Sequence, residues 1–242
     1  MGLVYGKNPV LEAINSGTTI NKIYAQTSNK DIDQIIKEAL KRKIIVVNTD
    51  KQKLDKMIDG KNSQGIIASI TEFKYSEVSE IIEYAKIKNE SPFIIILDKI
   101  EDPHNLGAII RSCECMGVHG IIIQKRNACQ ITDTVEKVAA GACSYVKVAR
   151  VTNITESIKE LKKNGLWIYG LDMNGESEVY NTKLEGAIGI VVGNEGSGIS
   201  RLVKENCDAL MKIPMTGKIN SLNASVSAAI TIYEVVRQKN IK

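Results

Sequence analysis

The chain has 242 residues, 43% hydrophobic and 25% charged, the make-up of a globular protein with room for one large domain or two small ones rather than a disordered chain. No apolar run approaches the ~18–20 residues needed to span a bilayer, the start lacks a basic segment followed by an apolar core, and the five cysteines are an odd number, so a soluble cytoplasmic protein is expected and a membrane protein is not. A net charge of +4 is too small to establish a nucleic-acid partner, although residues 1–70 hold most of the basic excess, with 11 Lys/Arg against 7 Asp/Glu.

Asn8 before Pro9 reads as an N-cap followed by a favoured first helical residue, with Glu12 placed as a capping-box acid, and predicts a short helix over Val10 to Ile14. An apolar stretch from Ile20 to Ala25, a helical pattern from Asp31 to Arg42, a β-branched run from Ile44 to Val47 and a strand from Gly65 to Ile70 complete a small α/β unit. Residues 71–91 are charged and poor in large apolar side chains, and read as a partly helical linker. Beyond it, buried-type strands are predicted at Phe93 to Leu97, Gly120 to Gln124, Tyr145 to Val148, Leu166 to Leu171, Ile188 to Val192 and Ala209 to Ile213, with helical segments between them. Near-continuous apolar strands alternating with helices imply an α/β fold with a mostly parallel sheet covered on both faces. A closing helix is expected over Asn223 to Lys239, with Arg237 and Lys239 near its C-terminal dipole. The domain division expected is 1–70, a linker at 71–91, and 92–242.

Three polar, glycine-containing segments follow strands in the second part, where open α/β sheets place ligands. The first runs from Asp98 to Arg111. A helix beginning near His104 or Asn105 would let Asn105 act as its cap, with Arg111 close to two turns on; the segment reads equally as a capped helix with a surface arginine. The second, Gly193-Asn194-Glu195-Gly196-Ser197-Gly198, is a glycine-rich turn whose spacing matches neither the dinucleotide fingerprint nor a P-loop. The third, Ile213 to Ser227, is a polar loop opening a helix with Asn and Ser residues suited to capping. Cys113 and Cys115 are about 200° apart on a helix, so no metal site is expected there. With only two histidines, a Ser-His-acid triad is also not expected.

Asp102-Pro103-His104-Asn105-Leu106-Gly107-Ala108 with Arg111, then Gly193 to Gly198, then Ile213-Pro214-Met215 and Ser221-Leu222-Asn223-Ala224-Ser225-Val226-Ser227 together resemble, in order, the three motifs of the SpoU/TrmH family. Tyr5 to Val10 and Gln64 to Ala68 resemble that family's substrate-binding domain, with Ser63 standing where many members have histidine. The resemblance implies a small N-terminal α/β substrate-binding domain and a C-terminal trefoil-knotted SPOUT methyltransferase domain. Topology rules alone would have excluded such a knot. It also implies a homodimer, S-adenosylmethionine as cofactor, and RNA 2′-O-ribose methylation. The target implied is a guanosine in large-subunit ribosomal RNA, with transfer RNA as the near alternative and a noncatalytic RNA-binding factor of the same fold as a rival. By the same resemblance, Arg111 accepts the proton of the ribose hydroxyl or orients it, Asn105 and Glu195 shape its surroundings, and Asn223 helps to build the pocket. Gly193, Asn194, Gly196, Ile213, Met215, Ser221, Leu222 and Ala224 are implied to hold the cofactor, and Lys7, Asn8, Gln64 and Arg111 to contact the RNA. A nucleotide-dependent oxidoreductase using the glycine turn lacks its fingerprint spacing.

Overall fold

The structure, a computed structural model, describes residues 2–15, 18, 20–70, 73–218 and 221–240. The chain divides into two compact units, residues 1–74 with 131–133, and residues 75–130 with 134–242.

In the first unit, β1 (Gly2–Tyr5), α1 (Lys7–Asn15), β2 (Ile20–Ala25), α2 (Asp33–Lys41), β3 (Val46–Asn48), α3 (Lys51–Met57) and β4 (Ile66–Ile70) follow one another. Their sheet has the order β1-β4-β2-β3. The β4 strand pairs antiparallel with β1 and β2, and β2 pairs parallel with β3. All five β4 residues are buried, because Ile66, Ala68 and Ile70 pack with Val10, Ile14 and Ile35 on one face while Ile67 packs with Leu54 and Ile58 on the other. Being covered on both sides explains an antiparallel strand that is apolar at every position but Ser69. The first helix starts at Lys7, earlier than predicted, so Asn8 lies inside it and is not its cap. Its first N–H is instead satisfied by the Gln64 side chain, whose Oε1 accepts from Lys7 N at 3.0 Å. The helical stretch expected from Asp31 is also shorter: a 3-10 turn at Lys30–Ile32, capped by Asn29, precedes α2.

The second unit contains α4 (Val78–Ile87), β5 (Phe93–Asp98), α5 (Pro103–Cys115), β6 (Gly120–Gln124), α6 (Asp133–Ala139), β7 (Lys147–Val151), α7 (Ile154–Lys163), β8 (Trp167–Leu171), β9 (Ser177–Glu178), β10 (Ile188–Gly193), α8 (Arg201–Asn206), β11 (Ala209–Lys212) and α9 (Ala224–Asn240). The sheet order is β7-β6-β5-β10-β8-β11-β9, and every pairing within it is parallel. On one face Ile94, Ile96, Ile122, Ile168 and Val191 meet Ile81 and Ile82 of α4, Ile158 and Leu161 of α7 and Val203 of α8. Within the segment expected to be a partly helical linker, Val78, Ile81 and Ile82 repeat at helical spacing and are buried in this core, so 78–87 is a packed helix. The β7 strand also begins later than predicted, since Ala142–Ser144 forms a 3-10 turn and Tyr145 is exposed.

The late strand β10 enters between β5 and β8, so the order of the sheet switches there. Crevices at such switch points, beyond the carboxyl ends of the strands, are where parallel sheets bind ligands. The three segments singled out in the sequence all leave carboxyl ends near this point: β5 into α5, β10 into α8, and β11 into α9.

Candidate active site

The β5–α5 turn opens on Asp98, a carboxylate at the end of a wholly buried strand. Its Oδ2 accepts from Ser200 N at 2.7 Å and so ties the far end of the glycine turn to β5. Asp98 Oδ1 is buried without a partner among the described residues. The helix that follows is capped by Asp102, whose side chain accepts from His104 N at 2.9 Å, with Pro103 in the first position. Asn105 is thus not a cap, as had been expected. It lies in the first turn of α5, buried, with its side chain turned toward the glycine loop.

That loop is shaped by contacts only a glycine permits. A Cβ on Gly193 would lie 2.2 Å from the carbonyl carbon of Gly198, so the two arms of the turn touch. Asn194 holds the turn closed: its Oδ1 accepts from Gly196 N at 2.9 Å and its Nδ2 donates to Lys99 O at 3.1 Å. The next residue, Glu195, is where the three segments meet. Its Oε1 accepts from Asn105 Nδ2, from Asn223 Nδ2 at 3.1 Å and from Ala224 N at 3.4 Å. Asn223 Nδ2 also donates to Asn105 Oδ1 at 2.9 Å. Meanwhile Asn223 Oδ1 accepts from Ser225 N at 2.9 Å and Val226 N at 3.3 Å, capping α9. The capping expected of Asn223 is present, and the same side chain joins three loops.

Beside this cluster a cavity of about 640 Å³ opens at the ends of β8, β10 and β11. Gly193, Asn194, Gly196, Ile213, Met215, Ser221, Leu222 and Ala224, the residues singled out for the cofactor, all line it, together with Glu195. Ile219 and Asn220 of the third segment lie outside the described residues. The opposite wall, Leu171 to Asn174, was not singled out in the sequence. There Asp172 pairs with Lys204. Burial opposes the charge of Asp172, but the Lys204 ammonium and the Asn174 N–H outweigh it and hold the carboxyl below its usual range. A sequence signal existed for Asp98, an acid closing the otherwise apolar run FIIIL; for Asp172 there was none beyond its place after a strand.

Arg111 is not brought into this constellation. Six residues after Asn105, it is turned about 120° around the helix and exposed, and its side chain makes no hydrogen bond or ion pair among the described residues. It shares the outer face of α5 with His104 and Cys115. Cys113 points inward, where burial raises its thiol far above the usual range; Cys115 is exposed, and the two do not converge.

In the first unit, Lys7, Asn8 and Gln64 line a separate cavity of about 480 Å³ with Gln26, Asn29, Lys51, Asn62 and Gly65. Ser63 is buried below it, its hydroxyl donating to Asp55 Oδ1 at 2.7 Å, so it serves as an anchor of the loop.

Comparison with known proteins agrees with this geometry. Residues 92–233 match the SpoU rRNA methylase family, and residues 3–76 match the RNA 2′-O ribose methyltransferase substrate-binding family. The Bacillus subtilis (strain 168) protein YacO, named for the TrmH family of tRNA/rRNA methyltransferases, is 41% identical over 98% of this chain and 96% of its own. The SpoU methyltransferase AviRb of Streptomyces viridochromogenes, solved with AdoMet, has a TM-score of 0.64 at 21% identity, over 99% of this chain and 91% of that one. An AdoMet-bound rRNA methyltransferase of Sinorhizobium meliloti gives 0.62 at 21% identity, over 97% and 86%. At such identities these two structures speak for a shared fold.

Proposed function

Because the chain belongs to the SpoU rRNA methylase family, we propose that it transfers a methyl group from S-adenosylmethionine to a ribose 2′-hydroxyl of RNA in the cytoplasm. The observation that carries this is the junction at Glu195, which locks α5, the glycine turn and the start of α9 around one cavity. The rRNA-methylase match favours ribosomal RNA as target, in which the motif resemblance implies a guanosine; transfer RNA is the second reading, favoured by the name shared by relatives such as YacO.

The residues present suit the cofactor. The approach of Gly193 to Gly198 brings the two arms of the turn together at the edge of the cavity, and Ile213 and Leu222 give it apolar wall for an adenine ring. When bound, the cofactor supplies the electrophilic methyl group. Asn194 and Glu195 keep the turn in one conformation, so that little reorganisation remains for the reacting complex. Arg111 acts on the RNA. An arginine side chain carries donors and no acceptor at neutral pH, so it orients the hydroxyl oxygen and stabilises charge building on it.

The trefoil knot belongs to the same reading, supported by β10 inserted between β5 and β8 and by α9 returning to pack on α5. So does the homodimer. Val226, Ile230 and Tyr233 form an exposed apolar stripe on α9, the helix that packs on α5, and Arg111 is on the exposed face of α5, so a second copy docked there would bring a covering surface to Arg111. The substrate-binding role falls to the first unit, with Lys7, Asn8 and Gln64 around its cavity.

Calorimetry with S-adenosylmethionine and with NAD tests the proposal. Saturable binding of the first and none of the second is expected; NAD binding without an adenosylmethionine signal would reverse it.

A further inference from the structure

A carboxyl group at the end of an apolar strand calls for a reason, because burying it costs far more than burying the side chains before it. Asp98 closes β5 after five apolar residues, is fully buried, and keeps Oδ1 without a partner among the described residues. Its other oxygen accepts from Ser200 N at 2.7 Å. What that bond holds is the glycine turn. Asp98 lies in register with Gly193, where the turn begins, and Ser200 follows the last glycine of the turn by two residues. The next residue holds the other arm: Lys99 O accepts from Asn194 Nδ2 at 3.1 Å. Lys99 does so from the left-handed region, at φ 59°, a costly conformation for a residue with a side chain, and its N–H is tied down by Gln124 Oε1 at 3.2 Å.

Two adjacent residues at the end of β5 thus grip the two arms of the turn, and each carries a cost in stability: an unpaired buried oxygen in one, a left-handed backbone in the other. Costs of this kind persist where the geometry they enforce is used. Ser200 contributes its backbone alone, since its side chain makes no capping bond to α8. Asp98 is not among the residues lining the cavity, whereas Gly193, Asn194, Gly196 and Gly198 of the turn are. We propose that Asp98 is a positioning residue of the cofactor site: through Ser200 N it keeps the glycine turn closed before S-adenosylmethionine arrives, and so sets how tightly the cofactor binds. The inference rests on the cofactor reading above and adds a residue that acts on the cofactor only through the turn. A turn held closed is competent at every encounter, while one that opens binds with an affinity reduced by the fraction of time it spends closed.

Four substitutions in the full-length protein separate the bond from its surroundings. Ser200→Pro removes the donating N–H at a residue that already has the φ of proline, −63°, whereas Ser200→Ala keeps that N–H and removes only the hydroxyl. Asp98→Ala removes the acceptor, and Asp98→Asn retains one. Calorimetry with S-adenosylmethionine gives the affinities, and urea unfolding followed by Trp167, the single tryptophan and part of β8, shows that each protein is folded. Affinity should fall about tenfold or more in Ser200→Pro and Asp98→Ala and stay within about threefold in Ser200→Ala and Asp98→Asn. Combining Asp98→Ala with Ser200→Pro should weaken binding no further than the worse of the two, because both remove one bond. Ser157→Ala, which deletes a buried hydroxyl bonded to Asn153 O in α7, should lower the urea midpoint and leave the affinity unchanged. Should Asp98→Ala not fold, the contrast between the two Ser200 variants decides; should neither Asp98→Ala nor Ser200→Pro fold, hydrogen exchange in the wild type does, with the Ser200 amide expected to be protected before cofactor is added. Wild-type affinity in folded Ser200→Pro and Asp98→Ala, equal losses in Asp98→Asn and Asp98→Ala, additive losses in the double variant, or a Ser200 amide that exchanges freely until cofactor is added each overturns the proposal. Absence of adenosylmethionine binding by the wild-type protein overturns the cofactor reading and the proposal with it, so the two failures are told apart.

Discussion

Arg111 and Asn105 sit six residues apart on one helix and answer to different forces. Arg111 is exposed and unpaired among the described residues, so replacing it should hardly change stability. Arg111→Lys keeps the charge and loses the planar fork of donors. The expected outcome is a fall in turnover of about 10²–10⁴ with adenosylmethionine affinity unchanged in calorimetry; near wild-type turnover would make Arg111 a surface residue. Asn105, by contrast, is buried and depends on Glu195. Glu195→Ala leaves the Asn105 amide short of its acceptor, at a cost of about 1–3 kcal/mol, read as a lower urea midpoint; an unchanged midpoint would contradict the account. The motif resemblance grouped these residues, while the reading of the helix starts differed from the structure. Asn8-Pro9 was read as cap and first turn, although a distant acceptor, Gln64, lets α1 start sooner. The same signature, Asp102-Pro103, does start α5, and overlooking it made Asn105 look like a cap.

At the scale of elements, the buried parallel strands were legible nearly to the residue, because a strand covered on both faces has to be apolar throughout; Gly120–Gln124 needed no correction. What stayed hidden was short or marginal: β1, β9 and α8 are four, two and six residues long, too few to show a period. The start of β6 holds a titration that the strand pattern did not announce. His119 is buried, its Nδ1 accepting from Phe93 N at 3.0 Å and its Nε2 lying 3.0 Å from Glu90 Oε2. Burial lowers its pKa, with Lys239 and Lys88 adding to that and Glu90 opposing it. The folded protein therefore resists a proton that the unfolded chain takes up near pH 6.5, and stability should fall as pH drops below about 6.5. The other histidine, His104, is exposed. Urea midpoints at pH 7.5 and 5.5 should differ in the wild type and differ less in His119→Gln. An equal difference in both proteins would remove His119 as the cause.

For the whole molecule, two matters lay beyond the sequence pattern. Periodicity locates strands without ordering them, so the insertion of β10 between β5 and β8 was accessible only through resemblance. The surface of α9 was equally silent, since Val226, Ile230 and Tyr233 look like core residues until the fold leaves them outside. If that stripe joins two copies, Ile230→Asp should shift light scattering from dimer to monomer and lower methylation. A wild-type monomer that is fully active at micromolar concentration would contradict the dimer. The central claim concerns where the methyl group goes. The direct measurement is to incubate the protein with RNA and methyl-labelled S-adenosylmethionine, digest the RNA to nucleosides and locate the label by mass spectrometry. The account predicts a 2′-O-methylated ribose, lost in Arg111→Lys; label on a base, or equal label without the enzyme, would contradict it.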